Sequence, residues 1–314
     1  MPTIAAIADW GTTHFRVWGL GANGLPEGEA SNSAGMAVLK PGEFEQVLED
    51  ALQKLGTPAD APVLICGMAG SRQGWQEASY LPVGAALEQL ASNAVRVATA
   101  GRDVRILPGF AQSAAGREDV MRGEETALLG AATTHHSSGV FCIPGTHSKW
   151  VWLEDGKLAS FRTAMTGELF HLLATNSTLS HFCESSAGKL HESTGFSDAV
   201  EMALSQPAAI TSQLFSVRAR PLLAATAKLE NMAPRLSGLL IGGEIAAMLP
   251  DAGTGITLIA TGELASVYQM ALRIAQIPFA TLDSQKMVQA GLGFAASQIW
   301  KGRINSSPAP GAIG

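Results

Sequence analysis

The segment Asp9-Trp10-Gly11-Thr12-Thr13 joins two apolar runs, Ile4–Ala8 and Phe15–Leu20, near the start of the chain. A strand that leads into an acid, a glycine and two hydroxyl residues before a second strand is typical of a hairpin that binds phosphate. Gly11 lets the backbone approach an oxyanion closely, and the two threonines offer hydroxyl and amide donors. Asp9 supplies a carboxylate for Mg²⁺, expected to act through water because Mg²⁺ loses its waters reluctantly. An ordinary hairpin with a solvated aspartate is the alternative for this segment alone.

Residues 139–154 repeat this plan. The apolar run Val140–Ile143 leads into Pro144-Gly145-Thr146-His147-Ser148, and a further predicted strand follows at Lys149–Leu153. Two such units predict two similar halves that each offer a phosphate-binding turn to one cleft. This plan resembles the actin-like ATPase and sugar kinase superfamily. Proline stands in the second turn where that superfamily commonly has an acid, so we expect Asp9 to carry most of the metal binding.

The second turn supplies further candidates for the phosphates of a nucleotide. We expect Thr146, together with Gly145, to contact them, and Lys149 is a further candidate. His147 is either a phosphate contact or an ordinary polar residue of the turn.

Length and composition favour an enzyme with two domains. The chain has 314 residues, of which 46% are hydrophobic, so two domains of ordinary size can each bury a core. The net charge is −6 and no block of Lys or Arg stands out. This pattern argues against a nucleic-acid surface and against an anionic membrane surface.

No signal-peptide pattern or bilayer-spanning run is visible in the sequence. The longest apolar stretch, Leu239–Leu249, is interrupted by two glycines and Glu244. The three cysteines lack metal-ligand spacing and are expected to be buried, reduced thiols of a cytoplasmic protein: Cys66, Cys142 and Cys183.

Alternating strands and helices predict two α/β domains. Strands are expected at residues 3–9, 14–20, 25–31, 62–66, 94–98, 104–107, 140–143, 149–153, 158–163, 256–260 and 277–282. Helices are expected at residues 41–55, 84–92, 119–133, within 166–249, from 262 to 275, and at 284–300. We assign 1–134 to an acceptor-binding domain and 135–283 to a nucleotide-binding domain. Helix 284–300 is expected to pack back on the first domain, and residues 304–314 are expected to be a disordered tail.

Two segments are candidates for the seat of the nucleotide. Thr261 and Gly262 follow a predicted strand and precede a helix, a geometry that lets a base and ribose pack against the backbone. Gly242 and Gly243 instead favour close packing within a helix. We therefore prefer Thr261 and Gly262.

A kinase also needs an acid near the attacking hydroxyl and polar groups for the acceptor. Glu124 and Glu125 are adjacent near a helix start and point to different sides, so one can face the site. Glu168 is the next candidate. The acceptor residues are expected on the Gly-rich loop at 67–75 and beside it. The Arg72 guanidinium can bind a carboxylate through two N–H groups, and the flat rings of Trp10 and Trp75 can pack against the acceptor. The full acceptor set comprises Trp10, Arg16, Ser71, Arg72, Trp75 and Arg122.

These segments together resemble the 2-dehydro-3-deoxygalactonokinase family over nearly the whole chain. The resemblance rests on the order and spacing of six segments: 9–16, 67–75, 121–126, 144–150, 161–169 and 237–246. It implies two domains of ribonuclease-H-like (actin-like ATPase) architecture, with mixed sheets flanked by helices and an interdomain cleft. It also implies ATP- and Mg²⁺-dependent phosphorylation of 2-dehydro-3-deoxy-D-galactonate at its terminal (6-) hydroxyl.

The family likeness implies a catalytic acid near Gly123, so Glu124 would stand where related sugar kinases have an aspartate. Three other functions stay open. They are a kinase of another sugar acid or ketose, such as 2-dehydro-3-deoxygluconate, a phosphoanhydride hydrolase, and a non-enzymatic nucleotide-dependent module. The sequence leaves homodimer formation open as well.

Overall fold

A computed structural model describes residues 3–40, 42–184, 189–223, 229, 232–248 and 255–304. The chain divides into two compact units. Unit 1 contains Met1–Ser138, Trp152–Phe161 and Ser284–Gly314, and unit 2 contains Gly139–Val151 and Arg162–Asp283. Residues 152–161 thus group with unit 1, whereas the sequence analysis assigns them to the second domain.

The strands and helices follow in chain order. The strands are β1 Ala5–Trp10, β2 Phe15–Leu20, β3 Pro26–Asn32, β4 Val63–Gly67, β5 Tyr80–Pro82, β6 Val95–Val97, β7 Val104–Ile106, β8 Gly109–Gln112, β9 Asp119–Met121, β10 Gly139–Ile143, β11 Ser148–Glu154, β12 Lys157–Ala164, β13 Ile256–Ile259 and β14 Phe279–Leu282. The α-helices are α1 Phe44–Lys54, α2 Gln89–Ser92, α3 Glu124–Thr133, α4 Thr166–Asn176, α5 Ser180–Cys183, α6 Thr194–Ser205, α7 Ile210–Leu214, α8 Ser216–Leu223, α9 Met232–Met248, α10 Gly262–Ile274 and α11 Ser284–Ile299.

The two large sheets share one strand order. The sheet of unit 1 runs β3-β2-β1-β4-β7-β6, and the second sheet runs β12-β11-β10-β13-β14. In each sheet, three strands that are consecutive in the chain lie side by side, and the later strands follow next to the first of the three. The first of these later strands is parallel to its neighbour, β4 to β1 and β13 to β10. This repeated order confirms the predicted fold class of two similar α/β halves.

Helices cover both faces of the first sheet. Alternate residues of β1, namely Ala6, Ala8 and Trp10, belong to the core cluster that also contains Phe44 and Leu48 of α1. Helix α11 packs on α3 and also contacts β1. Both faces of β1 are therefore buried, as its continuous apolar sequence predicts.

Three local expectations differ from the structure. The predicted helix 119–133 begins only at Glu124, because Asp119–Met121 pairs as β9 with β8. The resulting three-stranded sheet, β5-β8-β9, is absent from the sequence prediction. The predicted helix 84–92 shortens to α2, Gln89–Ser92.

Some expectations fall on residues outside the described part of the chain. They include Pro41, the expected start of the helix 41–55, and the tail 304–314 except Ile304. Among the residues that are described, no helix combines the length and apolarity needed to cross a membrane.

Candidate active site

The parallel pairing of β1 with β4 places their carboxyl ends at one edge of the unit 1 sheet. Asp9 lies beside Cys66 in this pairing, and the Cys66 thiol donates to Asp9 Oδ1 at 3.8 Å. Gly67 has φ 90°, and a Cβ there would lie 2.6 Å from the Trp10 carbonyl oxygen. A side chain is therefore excluded at Gly67, and the ends of the two strands approach closely.

The turn after β1 is anchored by its backbone and leaves its side chains accessible. The Gly11 amide donates to the His14 carbonyl at 2.9 Å, and the Gly11 carbonyl accepts from the Met36 amide at 3.0 Å. Thr12 and Thr13 are exposed, and the Thr13 hydroxyl contacts His14 Nδ1 at 2.8 Å. A fixed backbone with exposed hydroxyls is suited to an oxyanion ligand.

Asp9 faces Arg16 across the β1–β2 ladder. Burial raises the pKa of the Asp9 carboxyl, and the charge of Arg16 and the Cys66 thiol partly offset that rise. A bound cation would favour the ionised carboxylate. The described residues contain no group of three His, Cys, Asp or Glu side chains that could hold a metal. The Asp9 carboxylate is an oxygen ligand of the kind that Mg²⁺ binds.

The start of α3 adjoins this edge of the sheet. A Cβ at Gly123, where φ is 113°, would lie 3.5 Å from Gly67 Cα. Glu125 is fully buried, and both of its carboxylate oxygens accept from the Gly123 amide at 2.8 Å. Burial first, and then the charge of Glu124, raises the pKa of Glu125 to about 8.

Glu124 has a different environment from Glu125. It is half-buried, and its carboxylate accepts from the Arg122 amide at 3.1 Å. The two adjacent acids thus separate into one that is enclosed at the helix start and one that solvent can reach. Glu124 is the more solvent-accessible member of the pair.

The candidate acceptor residues of unit 1 differ widely in exposure. Ser71 is buried, and its hydroxyl finds no hydrogen-bond partner in the described part of the chain. The Arg72 side chain is 82% exposed, and its Nε lies 3.7 Å from Glu77. Arg122 is held in place, since its Nη2 donates to the Ala78 carbonyl at 2.7 Å and its guanidinium lies 4.3 Å from the centre of the Tyr80 ring.

The expectation that Trp10 offers a flat surface to the acceptor is wrong. Trp10 is fully buried, its indole N–H donates to the Ala34 carbonyl at 3.0 Å, and its ring lies 4.1 Å from Phe15. The physical reason is that β1 continues through Trp10, so its side chain points to the sheet face opposite Asp9. Trp75 is half-buried and stacks on Phe44 at 6.0 Å.

The second turn, at the start of β11 in unit 2, is packed against the start of α4. A Cβ at Gly167 would overlap the Gly145 carbonyl oxygen, and the Glu168 amide donates to the Thr146 carbonyl at 3.0 Å. The Glu168 carboxylate pairs with Nε2 of His147. Glu168 of α4 therefore contacts the Gly145–His147 turn of unit 2, whereas the other two candidate acids, Asp9 and Glu124, lie in unit 1.

The remaining candidates of unit 2 have defined positions. Lys149 is buried, and its ammonium donates to the Thr163 hydroxyl at 2.8 Å. Thr261 and Gly262 are exposed at the end of β13, where Gly262 has φ 62° and begins α10. Because β13 is parallel to β10, these two residues and the Gly145 turn lie at the same edge of the sheet.

The alternative nucleotide seat lies inside a helix. Gly242 and Gly243 belong to α9, and a Cβ at Gly242 would lie 2.8 Å from Ala203 Cβ of α6. Gly242 therefore serves the close packing of α9 on α6.

Sequence reasoning missed one charged residue of unit 2. Glu244 is a buried carboxylate that accepts from the Trp150 indole N–H and from the Tyr268 hydroxyl, each at 2.8 Å. The available signal was a single acid in the apolar run 236–248. Such an acid stays in a buried helix only when donors surround it.

Comparisons with known proteins agree on one family. The family model for 2-keto-3-deoxy-galactonokinase matches residues 9–295. A Rhizobium meliloti (strain 1021) protein named "Probable 2-dehydro-3-deoxygalactonokinase DgoK1" is 44% identical over 299 residues, which cover 94% of this chain and 97% of that protein. The 2-dehydro-3-deoxygalactonokinase of Escherichia coli (strain K12) is 35% identical over 289 residues, covering 90% and 94% of the two chains.

A solved crystal structure gives the same result. A Sinorhizobium meliloti protein named for the same kinase has 42% sequence identity and a TM-score of 0.89, with 95% of this chain and 97% of that chain covered. Sequence and fold are thus similar over nearly the full length. The chain belongs to the 2-keto-3-deoxy-galactonokinase family.

Proposed function

We propose that the protein is a kinase that transfers the γ-phosphoryl group of ATP to the terminal (6-) hydroxyl of 2-dehydro-3-deoxy-D-galactonate. The observation that carries the proposal is the family match over residues 9–295. The repeated strand–Gly-Thr turn–strand unit, at Gly11 and at Gly145, supports it, because phosphoryl transfer requires held phosphates more than covalent chemistry.

The two units carry different parts of this reaction. In unit 2, the turn Gly145–Thr146 and the start of α10 at Thr261–Gly262 would bind the nucleotide, with Lys149 supplying a positive charge. In unit 1, the turn Gly11–Thr13 would contact the phosphates, and the loop 67–75 would bind the acceptor. The Thr12 and Thr146 hydroxyls are both exposed, as direct phosphate contacts require.

In the transfer step, the acceptor hydroxyl oxygen attacks the γ-phosphorus and the bond from that phosphorus to the β,γ-bridging oxygen breaks. The products are ADP and a phosphate ester. Glu124 would accept the hydroxyl proton, since it is the accessible acid beside Asp9's edge of the sheet. Glu125, which is enclosed on the Gly123 amide, and Glu168, which pairs with His147, are the alternatives.

A divalent cation is part of this proposal. Mg²⁺ would neutralise phosphate charge, and the Asp9 carboxylate would hold it together with water and phosphate oxygens. Changing Asp9 to Asn should raise the Mg²⁺ concentration for half-maximal activity while the fold is kept. An Mg²⁺ titration of activity, with circular dichroism as the control for folding, measures this. An unchanged Mg²⁺ concentration for half-maximal activity would mean that residues other than Asp9 bind the cation.

The acceptor is an acid, so a cation must meet its carboxylate. Arg72 is our first candidate because its guanidinium is exposed and only loosely paired. Arg16, which faces Asp9 across the ladder, is the second, and the held guanidinium of Arg122 is the third.

A coupled ADP-release assay over a panel of sugar acids tests the proposed function. We expect rapid release with 2-dehydro-3-deoxy-D-galactonate, slower release with its gluconate-derived epimer, and little without an acceptor. Faster ADP release with another sugar acid or a ketose would support kinase activity on a different substrate. Equal release without acceptor would instead indicate a phosphoanhydride hydrolase.

A further inference from the structure

The buried carboxylate of Glu244 lies among three elements that carry candidate site residues, namely β11, α4 and α10. Its Oε1 accepts from the Trp150 indole N–H of β11 and its Oε2 accepts from the Tyr268 hydroxyl of α10, each at 2.8 Å. The Ser148 hydroxyl on β11 joins this network through the Tyr268 hydroxyl. Burial raises the pKa of Glu244, and the Thr166 hydroxyl on α4 is among the donors that oppose this rise. Each member of this network is at most 7% exposed: Ser148, Trp150, Thr166, Glu244 and Tyr268.

These donors lie next to the phosphate turn on both of its sides. Ser148 is the first residue after the turn, and its hydroxyl lies 2.8 Å from the Tyr268 hydroxyl. Thr166 immediately precedes Gly167, which packs against the Gly145 carbonyl so closely that a Cβ would not fit. Tyr268 lies on α10, the helix that begins at Gly262. A single carboxylate therefore fixes the turn, the start of α4 and the helix of the proposed nucleotide seat.

Only an acceptor-rich group satisfies this arrangement. The Trp150 indole can donate but cannot accept, and each hydroxyl has one proton to give. The carboxylate accepts from the Trp150 indole and from Tyr268, and the Tyr268 oxygen in turn accepts from Ser148. An amide would place its N–H₂ group against one of the two donors. Either the hydroxyls of Tyr268 and Ser148 would then have to reverse direction or the Trp150 N–H would lose its acceptor, and a buried donor without a partner is costly.

We propose that Glu244 is a positioning residue for nucleotide binding, which acts through Tyr268 and Ser148 on the Gly145–His147 turn. This inference rests on the proposed function, because it assumes that the turn binds the phosphates of ATP. It predicts that Glu244 sets nucleotide affinity without touching the nucleotide, and that acceptor binding in unit 1 is independent of it.

The test compares Glu244→Gln with Arg235→Met, a matched control in the same helix. Arg235 is also buried and donates from Nε to the Ser216 hydroxyl at 2.9 Å, but it lies nine residues earlier, about 13 Å along α9. Calorimetry of ATP binding without acceptor gives the Kd, thermal unfolding gives Tm, and steady-state kinetics give both KM values. Both variants should lower Tm.

We expect Glu244→Gln to raise the Kd and KM for ATP about tenfold, because the turn loses part of the hydrogen bonding that holds it in place. The KM for the acceptor should change less than twofold, and Arg235→Met should leave the Kd for ATP unchanged. Tyr268→Phe, which keeps the ring and removes one hydroxyl, should raise the Kd by a smaller factor and serves if Glu244→Gln does not fold.

Two results would overturn this role. One is a lower Tm with an unchanged Kd for ATP in both Glu244→Gln and Tyr268→Phe, which would make the network purely structural. The other is a rise in Kd that follows Tm equally in the Arg235 control. The wild-type protein separates the two proposals. If it does not bind ATP, the proposed function itself fails. If it binds ATP and the variants bind ATP equally well, only the role of Glu244 fails.

Discussion

At the scale of single residues, Arg72 carries the sharpest prediction on the acceptor. Its guanidinium is exposed and only loosely paired with Glu77, so it is free to meet a carboxylate in a two-point contact. Arg72→Ala should raise the KM for the sugar acid at least tenfold and leave the KM for ATP within about twofold, since a bond to a charged group contributes about 1.5–3 kcal/mol.

The control for this prediction is Arg96→Ala. Arg96 lies on β6, the edge strand that β4 and β7 separate from β1. Its side chain is comparably exposed, at 73%, and its Nε lies 3.5 Å from Asp103. It should change neither KM. An unchanged acceptor KM in Arg72→Ala would transfer the role to Arg16 or Arg122, which the same assay can examine one variant at a time.

Glu124 is the residue on which the proposed proton transfer depends. Glu124→Gln should lower kcat by roughly 10²–10⁴, the usual contribution of a general base, while the Kd for ATP stays unchanged. Rapid-quench measurement of phosphoryl transfer isolates this step from product release. Wild-type turnover in this variant would move the role to Glu125 or Glu168, and parallel Gln variants at those positions would decide between them.

The sequence predicts the turn between β1 and β2 but not the direction of every side chain in it. The roles of Asp9, Thr12 and Thr13 in binding phosphate and metal stay predictions, and the structure shows that Thr12 and Thr13 are exposed. Trp10 points into the core because β1 continues through it, and successive residues of a strand point to opposite faces of the sheet. The ends of strands are what sequence patterns predict least well. Glu244 escapes prediction because its donors, Trp150 and Tyr268, are far apart in the chain.

At the scale of elements, the contact between α3 and α11 depends on two glycines. A Cβ at Gly130 would overlap the Met287 carbonyl oxygen, and one at Gly291 would overlap the Thr126 carbonyl oxygen. Gly130→Ala should therefore lower the free energy of unfolding of unit 1 by about 1–3 kcal/mol or more, because the two backbones must separate. Urea denaturation followed by circular dichroism measures it.

Gly101→Ala is the matched substitution for this test. No heavy atom of the described chain lies within 4 Å of a Cβ at Gly101, and its φ is not positive. This variant should keep or slightly raise stability, by at most about 1 kcal/mol, because alanine restricts the unfolded chain. Equal stability of the Gly130 and Gly101 variants would contradict the close packing of α3 on α11.

Elements with a strong hydrophobic pattern are predicted correctly from the sequence. The strands β1, β4 and β10 and the helices α10 and α11 lie within a few residues of their expected bounds, because each has an apolar run or stripe. The small sheet of β5, β8 and β9 is missed because its strands are three or four residues long and pair across the chain. Asp119–Met121 reads equally well as the start of α3, and only pairing with β8 makes it a strand.

At the scale of the whole molecule, one buried acid should make stability depend on pH. Burial raises the pKa of Glu125 from an ordinary 4.5 to about 8, so between these values the folded protein holds a proton that the unfolded chain releases. The contribution of Glu125 to the free energy of unfolding is therefore complete below about pH 4.5. It falls by at most about 1.4 kcal/mol per pH unit as the pH rises towards 8.

Glu125→Gln replaces this acid by a neutral group of the same shape and should flatten the decline. Urea denaturation of both proteins at several pH values from 5 to 8 measures the two slopes. Parallel slopes would mean that Glu125 is ionised in the folded protein, and would return it to the list of candidate bases.

The conclusion on which the predictions about activity depend is that the protein transfers a phosphoryl group from ATP to a hydroxyl of a sugar acid. Phosphorus NMR of a mixture of the protein, ATP, Mg²⁺ and 2-dehydro-3-deoxy-D-galactonate tests this transfer. We expect a new phosphate monoester on the terminal carbon, formed in equal amount to ADP. Conversion of ATP to ADP and inorganic phosphate alone, or no conversion, would show that no such transfer occurs.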